Sequence, residues 1–521
     1  MAVGLILAGY LLAATLFALY TPAWQAPDEP AHYNYVAFVA AGNGLPVLEM
    51  GDYDQAYLQA LIENRFPPVF PIAPIQYEFH QPPLYYISAA PIFNLAEGRL
   101  IALRLLNVLL GAGVILLIFL IAHTIFPNQP MISLSSMALA AFLPMHVAVM
   151  AAANNDALAE LLIAATILAL LRWIRAVHAS TQRPRQLLVV GVFMGLALVT
   201  KSTTYILLPV TVLTLLGVTW QETVRSQRFS TLSVKALTTN LVVMLVPALL
   251  IALPLWIRNI TVYGGVDFLG LTWHDAVVVG QPRTGEWIAL NGWNAYLDRA
   301  VEFTFKSAWG VFGWMGVFMD GRIYMALEIF TGVLFLGGLW AAIRLLLGWP
   351  DSELNRLQRQ SMAVLGLLAL GALGGYVWYN MGFVQHQGRY LFPGLAGIAC
   401  FLALSWREVL RPAQGTATGL LAGVLTLSLF VGGWMSGSVD KWQILAAGLT
   451  SVLLLVQAGS VALVERYASG FGDNLLARTV RRPMVLWGLT GVSSVAWLTP
   501  FLLLFLLDLF IPFSFILPQL G

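Results

Sequence analysis

The sequence predicts an all-α, polytopic membrane protein, and three observations carry that prediction. Hydrophobic residues make up 59% of the 521-residue chain, and its mean hydropathy is +0.79, well outside the range of soluble domains. Charged residues are only 10%. Apolar runs recur at the length, about 20 residues, that a bilayer core of roughly 30 Å requires of a helix.

Read in order, thirteen candidate spans cover residues 1–21, 101–125, 131–150, 156–173, 187–200, 203–219, 237–257, 323–347, 361–381, 391–406, 417–436, 441–464 and 484–510. The first lacks a basic leader and a small-residue cleavage site, so it is expected to be a retained helix rather than a signal peptide. The apolar stretch 187–219 would be about 50 Å long as one helix, too long for one crossing. Lys201 lies in its middle. Dividing the stretch there moves an ammonium out of lipid, where it would cost about 2.5–3.5 kcal/mol or more. The last run carries Pro500 and Asp508, with Pro512 just beyond, and fits either one span or a span plus an interfacial helix.

Two long connections, 22–100 and 258–322, are rich in aromatics and proline. Tyr33, Tyr35, Val36, Phe38 and Val39 mark a short amphipathic helix ending near Gly42. It is expected to lie in the interface with its aromatic face toward headgroups. Residues 1–406 are expected to form a transmembrane catalytic module carrying both connections, and 407–521 a set of C-terminal transmembrane helices. No internal repeat is visible, whereas an inverted-repeat transporter more often shows matched halves.

Charge sets the direction. One set of connections holds Arg172, Arg175, Arg183 and Arg185, then Arg225, Arg228 and Lys235, then Arg466, Arg478, Arg481 and Arg482. This side is expected to be cytoplasmic. Residues 22–100 fall on the other side, with eight acids against two bases, −8 + 2 = −6. Localisation in the cytoplasmic (inner) membrane, with chemistry on the extracytoplasmic side, is the expectation. A net charge of only +2 speaks against a nucleic-acid partner, and a single cysteine, Cys400, excludes an internal disulfide.

Several polar motifs interrupt this apolar chain. Pro27-Asp28-Glu29-Pro30-Ala31-His32-Tyr33 follows the first span. Adjacent carboxylates where a helix meets water suit a general base toward a lipid-dissolved substrate, while an acid before Pro30 also suits helix capping. In Tyr77-Glu78-Phe79-His80-Gln81-Pro82-Pro83-Leu84-Tyr85-Tyr86, two prolines fix the backbone and present His80 and Gln81 as a rigid polar rim. Asn154-Asn155-Asp156 occupies a short outer turn, either as a helix cap or as the source of a second acid facing the Asp28 cavity.

Arg104, Lys201, Arg258 and Arg389 lie near outer span ends, where cations either bind phosphate or snorkel to headgroups. Arg389 is the densest case, in Gln385-His386-Gln387-Gly388-Arg389-Tyr390-Leu391-Phe392-Pro393, and Arg258 follows in Trp256-Ile257-Arg258-Asn259. His32, Tyr33, His80, Gln81, Asn155, His386, Gln387 and Tyr390 complete the candidate substrate-binding set. The seven histidines show no metal-ligand spacing, and Asp52 with Asp54 forms a lone D-x-D. No cofactor is expected with certainty; a divalent metal stays open but is not indicated.

In order and placement, these motifs resemble those of the GT-C-fold integral membrane glycosyltransferases. Within that class the motifs resemble those of the protein mannosyltransferase and aminoarabinose-transferase group and its bacterial relatives carrying P-D-E-P-x-H. The resemblance rests on Pro27–His32, Gln81–Tyr86, Asp156, Gly195 to Lys201, Arg258-Asn259, Phe312 to Trp314 and Gln387–Pro393. It spans residues 27 to 393; the last ~120 residues add only helices, and the large C-terminal soluble domain of some members is not expected.

The spans read above give about thirteen transmembrane helices, with amphipathic helices in the first outer loop. The resemblance implies a polyprenyl-phosphate sugar donor. Transfer would go to a glycan, lipid or protein hydroxyl on the non-cytoplasmic face, with inversion. It makes Asp28 the catalytic base with Glu29 beside it, Asp156 the second acid, and Lys201, Arg258 and Arg389 candidates for the donor phosphate; Arg104 joins that set by its place near a span end. Rival readings are a transporter or flippase of lipid-linked sugars and a catalytically silent membrane subunit.

Overall fold

The computed structural model describes residues 1–226, 231–348, 354–468 and 474–521. Arg228, one of the orienting bases, lies outside the described residues. Two compact units emerge: Met1–Phe318 with Asn355–Ile398 and Asp508–Gly521, and Met319–Leu354 with Ala399–Leu507.

In the first unit, α1 (Ala2–Tyr20) leads into α2 (Glu29–Ala40), α3 (Gln55–Glu63), a 3-10 turn (Tyr77–His80) and α4 (Leu84–Leu95). The membrane bundle follows: α5 (Leu100–Ile125), α6 (Pro130–Ala141), α7 (Pro144–Met150), α8 (Asp156–His178), α9 (Pro184–Leu198), α10 (Leu207–Ser226) and α11 (Thr231–Tyr263). Next come α12 (Leu271–Val277), α13 (Thr284–Trp309) and a two-residue hairpin pairing Val311–Phe312 with Val317–Phe318 antiparallel. The second unit begins with α14 (Gly321–Leu346); α15 (Arg356–Gly382) belongs to the first. The 3-10 segment Gly388–Gly394 then leads into α16 (Leu395–Val409). In the second unit α17 (Pro412–Ser436) packs on α18 (Lys441–Tyr467), where the Ser451 hydroxyl donates to the Gly419 carbonyl at 2.7 Å.

Among the described residues, 11 helices are long and apolar enough to cross a bilayer, or 12 if one bent pair counts as a span. The expected thirteen is one or two above this count: α9 falls short on length, and the bent pair decides between 11 and 12. The 15 residues of α9 rise only about 22 Å, short of a bilayer core of roughly 30 Å. The expected span 131–150 is the bent pair, α6 and α7, meeting at 64°. Pro144 opens α7 and holds Leu143 extended, at φ −82° and ψ 108°, which breaks the helix there.

The expected division at Lys201 is present: α9 ends at Leu198 and a 3-10 turn starts at Ser202. Short as it is, α9 returns the chain to the Asp156 end of α8, where the Asn155 side chain donates to the Thr200 carbonyl at 3.2 Å. On another face Gly195 lets α9 pack closely on α11, since a Cβ there would meet the Ala248 Cα of α11 at 2.9 Å.

The short helix α2 does not turn its aromatic face outward. Tyr35, Val36, Tyr85 and Tyr86 are buried in one apolar cluster with Leu48, Phe79 and Leu103. Tyr35 and Tyr86 stack at 3.6 Å between centroids. Burying a large side chain stabilises by about 1.5–3 kcal/mol, so α2 and α4 close on each other instead of facing headgroups. The result is a folded cap built on this apolar cluster.

Candidate active site

Asp28 is the N-cap residue of α2, yet its side chain caps nothing. Its backbone is left-handed, φ +67°, which costs a non-glycine residue on the order of 1 kcal/mol. The carboxylate is committed elsewhere. The Tyr77 hydroxyl donates to Oδ1 at 2.9 Å, and Arg389 Nη2 donates to Oδ2 at 3.0 Å. Burial pushes the Asp28 carboxyl up, but Arg389, His32 and the Tyr77 hydroxyl outweigh it and hold the group below the usual carboxylate range.

Arg389 is aimed by its own connection. Its Nε donates to Gln387 Oε1 at 2.7 Å, and Gln387 Nε2 donates to Gln385 Oε1 at 2.6 Å. The guanidinium carbon lies 5.5 Å from the centre of the Tyr390 ring. Gly388 lets this connection press on α13: its N–H donates to the Ser307 hydroxyl at 2.8 Å. A Cβ at that position would meet the Ala308 backbone at 2.4 Å.

A second ion pair stands beside the first. Lys201 Nζ and Asp156 Oδ1 are 2.7 Å apart, and the Asp156 carboxylate also feels Arg389 and His32. Asn154 Oδ1 accepts from the Asp156 N–H at 2.9 Å, so that first N–H of α8 is met by Asn154 and the Asp156 carboxylate is left for the lysine. Asn155 joins three motifs, donating to the Thr200 carbonyl at 3.2 Å and to Gln81 Oε1 at 3.4 Å. The Leu84 N–H donates to the Val199 carbonyl at 3.0 Å. The proline turn, the Asn154-Asn155-Asp156 turn and the Lys201 break are thus one hydrogen-bonded rim.

His32 occupies the middle of this rim. Its Nδ1 is 2.8 Å from the Tyr86 hydroxyl, and it is surrounded by Glu78, Lys201, Asp28 and Asp156. Burial pulls its pKa down against the nearby acids. His80 is also buried: its Nδ1 lies 3.0 Å from the Tyr77 carbonyl and its ring 4.2 Å from that of His274. Burial lowers its pKa to about 4.

Other expected site residues are placed apart. Glu29 and Arg104 form a closed bidentate pair, Nε to Oε1 at 2.8 Å and Nη2 to Oε2 at 2.6 Å. Glu29 also accepts from the N–H groups of Trp24 and Ala153. Arg104 donates to the Ala18, Thr21 and Pro22 carbonyls. Glu29 is 0% exposed and Arg104 4%, so neither presents charge to the rim. Arg258 donates to the Leu45 and Pro46 carbonyls and stitches α11 to the first connection. The Tyr33 hydroxyl donates to the Gly98 carbonyl at 2.7 Å. His386 packs its ring on Tyr296, 4.6 Å between centroids.

Two residues in the proline-turn string join the site beyond His80 and Gln81. Tyr77 bonds Asp28. Glu78 is buried beside His32 and Asp28, and its Oε2 has no hydrogen-bond partner. An acid set among aromatics just ahead of two prolines was the signal available for it.

Among the described residues, no group of three or more His, Cys, Asp or Glu side chains could hold a metal ion. Asp54 Oδ1 accepts from the Tyr57 N–H at 2.9 Å, capping α3, and Asp52 Oδ2 accepts from the Glu49 N–H at 2.7 Å.

Residues 80–250 match a family model described as dolichyl-phosphate-mannose-protein mannosyltransferase. The matched segment contains Gln81, Arg104, Asn155, Asp156 and Lys201. The chain resembles the GT-C glycosyltransferases. No curated protein matches it significantly.

Among solved structures, it is similar to ArnT from Cupriavidus metallidurans bound to undecaprenyl phosphate, at 14% identity and TM-score 0.45, covering 95% of this chain and 76% of that one. It is also similar to the apo oligosaccharyltransferase of Archaeoglobus fulgidus, at 12% identity and TM-score 0.44, covering 92% of this chain. The chain spans 59% of that enzyme's length.

Proposed function

We propose that this protein is a membrane glycosyltransferase that moves a sugar from a polyprenyl-phosphate donor to an acceptor hydroxyl on the non-cytoplasmic face. The observation that carries this reading is the pair of ion pairs, Asp28–Arg389 and Asp156–Lys201, side by side in one polar rim. Two cations at the edge of a bilayer are what a lipid phosphate needs, and an acid beside them is what an incoming hydroxyl needs. Both pairs are partly accessible; the Asp28 side chain is 29% exposed and that of Asp156 26%.

In this reading the donor phosphate draws Arg389 and Lys201 away from their carboxylates. Losing Arg389 raises the basicity of Asp28 when the substrate arrives. Asp28 accepts the proton of the acceptor hydroxyl as its oxygen forms a bond to the anomeric carbon. The bond from that carbon to the phosphate oxygen breaks, and the electron pair stays on the phosphate, stabilised by the two cations. One displacement inverts the anomeric centre. Glu29 and Arg104 then act by position: their buried pair fixes the start of α2, on which Asp28 sits.

The test is incubation of the purified protein with a radiolabelled polyprenyl-phosphate sugar and extracted cell-envelope acceptors. Transfer by the wild type, lost in Asp28→Asn, supports the reading. Movement of the lipid across a bilayer without transfer would instead make the protein a transporter.

A further inference from the structure

Glu78 has no part in the reaction as written above, yet it is the least satisfied acid in the rim. It sits in the 3-10 turn Tyr77–His80, with its backbone carbonyl accepting from the Gln81 N–H at 2.9 Å. The residue is 9% exposed, and Oε2 reaches neither solvent nor a hydrogen-bond partner. Leaving such an oxygen unpaired is costly, more so if it is charged. A purely structural residue at this place would be expected to have its donor or acceptor matched.

The surroundings decide which form it takes. Facing Glu78 are Asp28 and His32 from the start of α2, Tyr77 from its own turn, Tyr86 from α4, Lys201 from the break after α9, and Tyr379 from α15. Lys201 is engaged by Asp156 at 2.7 Å. His32 is held toward its neutral form by burial. Asp28 repels a second negative charge. Burial and Asp28 therefore push the Glu78 carboxyl up, against the pull of His32, Lys201 and Gln81. Two neighbouring acids are driven apart, Asp28 down and Glu78 up, an arrangement that assigns opposite proton roles to the two members.

We propose that Glu78 is a further ligand of the lipid phosphate, presenting Oε2 as a hydroxyl that donates a hydrogen bond to a phosphate oxygen. This rests on the glycosyltransferase reading and deepens it. An ionised Glu78 would repel the phosphate, whereas a neutral one adds a donor beside Lys201 and Asp28 once the phosphate has drawn Lys201 and Arg389 off their carboxylates. As the sugar leaves, charge builds on the phosphate, and the Glu78 proton lies where it stabilises that charge. Ionisation of Glu78 would then weaken the hold on the product lipid.

The test uses the full-length purified protein and undecaprenyl monophosphate as the probe, with dissociation constants measured from acid to alkaline pH. Wild type and Glu78→Gln are compared, so that titration of the phosphate itself cancels. The amide can donate but cannot ionise. Above the pKa of Glu78, wild-type affinity should fall relative to Glu78→Gln by about tenfold per pH unit. Parallel profiles with tight binding by both proteins would overturn the role of Glu78 and leave the glycosyltransferase reading standing. No binding by wild type at any pH would overturn both. If Glu78→Gln does not fold, infrared difference spectra of the wild type decide the matter: adding the lipid should shift a protonated-carboxyl band, and an unchanged band in that region overturns the proposal.

Discussion

Arg389 Nη2 donates to Asp28 Oδ2 across 3.0 Å, although the two residues are 361 positions apart in sequence. The contact closes the rim by joining the cap above α1 to the connection between α15 and α16. It also sets a chemical problem. An acid held below its usual range by a guanidinium is a poor base, so the base role proposed for Asp28 requires that the partner leave first. A lipid phosphate is a competitor suited to that exchange, because a guanidinium binds it in the same forked geometry as a carboxylate.

Asp28→Asn should therefore separate binding from chemistry. Transfer falls by about 10²–10⁴-fold, the usual contribution of a general base. Binding of undecaprenyl monophosphate holds or tightens, because Arg389 is freed from its carboxylate. Transfer assays and lipid binding on the same preparation check both parts. Weakened lipid binding with intact transfer would reverse the roles assigned to the pair.

The membrane class and the Lys201 break are legible in the sequence because hydropathy and the cost of a charge in lipid act locally. The polar motifs are legible too, since charge is scarce and each cluster stands out. Partner choice is not. Glu29 and Arg104 read as adjacent to the chemistry, and only the fold shows Arg104 enclosed by the Ala18, Thr21 and Pro22 carbonyls. Nothing in the Asp28-Glu29 dipeptide says which acid turns inward; that depends on the left-handed backbone at Asp28. The burial of Tyr35 and Tyr86 likewise depends on two helices some fifty residues apart meeting face to face.

The Glu29–Arg104 pair should matter to stability first. Arg104→Ala leaves a carboxylate that is 0% exposed without its counter-ion. Breaking a buried pair from one side costs about 3–5 kcal/mol. A lowered melting temperature in detergent is expected, larger for Arg104→Ala than for a double replacement of Arg104 and Glu29 by apolar residues of similar volume. Equal losses would show that packing rather than charge holds the contact.

The buried histidines predict a decline in stability on acidification. Burial lowers His80 to about 4 and His274 to about 3. Below about pH 6.5 the unfolded chain takes up protons that these rings refuse in the folded state. Their contribution is thus present above about pH 6.5 and is lost as pH falls toward their folded values. Asp28 acts with the same sign in a lower window: its depressed carboxyl contributes above its unfolded value, about 3.9, and loses that contribution as pH falls through its folded one. Melting curves of wild type and His274→Asn, taken between pH 7 and pH 5, separate the histidine part. The variant should lose less stability over that interval, and an identical slope would remove His274 from the account.

Gly388→Ala should disturb the site from outside it. The added Cβ would sit 2.4 Å from the Ala308 backbone of α13, so the connection has to move, at a cost of about 1–3 kcal/mol. The N–H of residue 388 would be pulled from the Ser307 hydroxyl, 2.8 Å away in the native fold. Arg389 follows in the chain and would be carried off Asp28. Because Lys201 and Asp156 lie on other elements, lipid binding should weaken only in part, while transfer falls further. A variant that melts lower but transfers at the wild-type rate would show that the aim of Arg389 does not depend on this close approach.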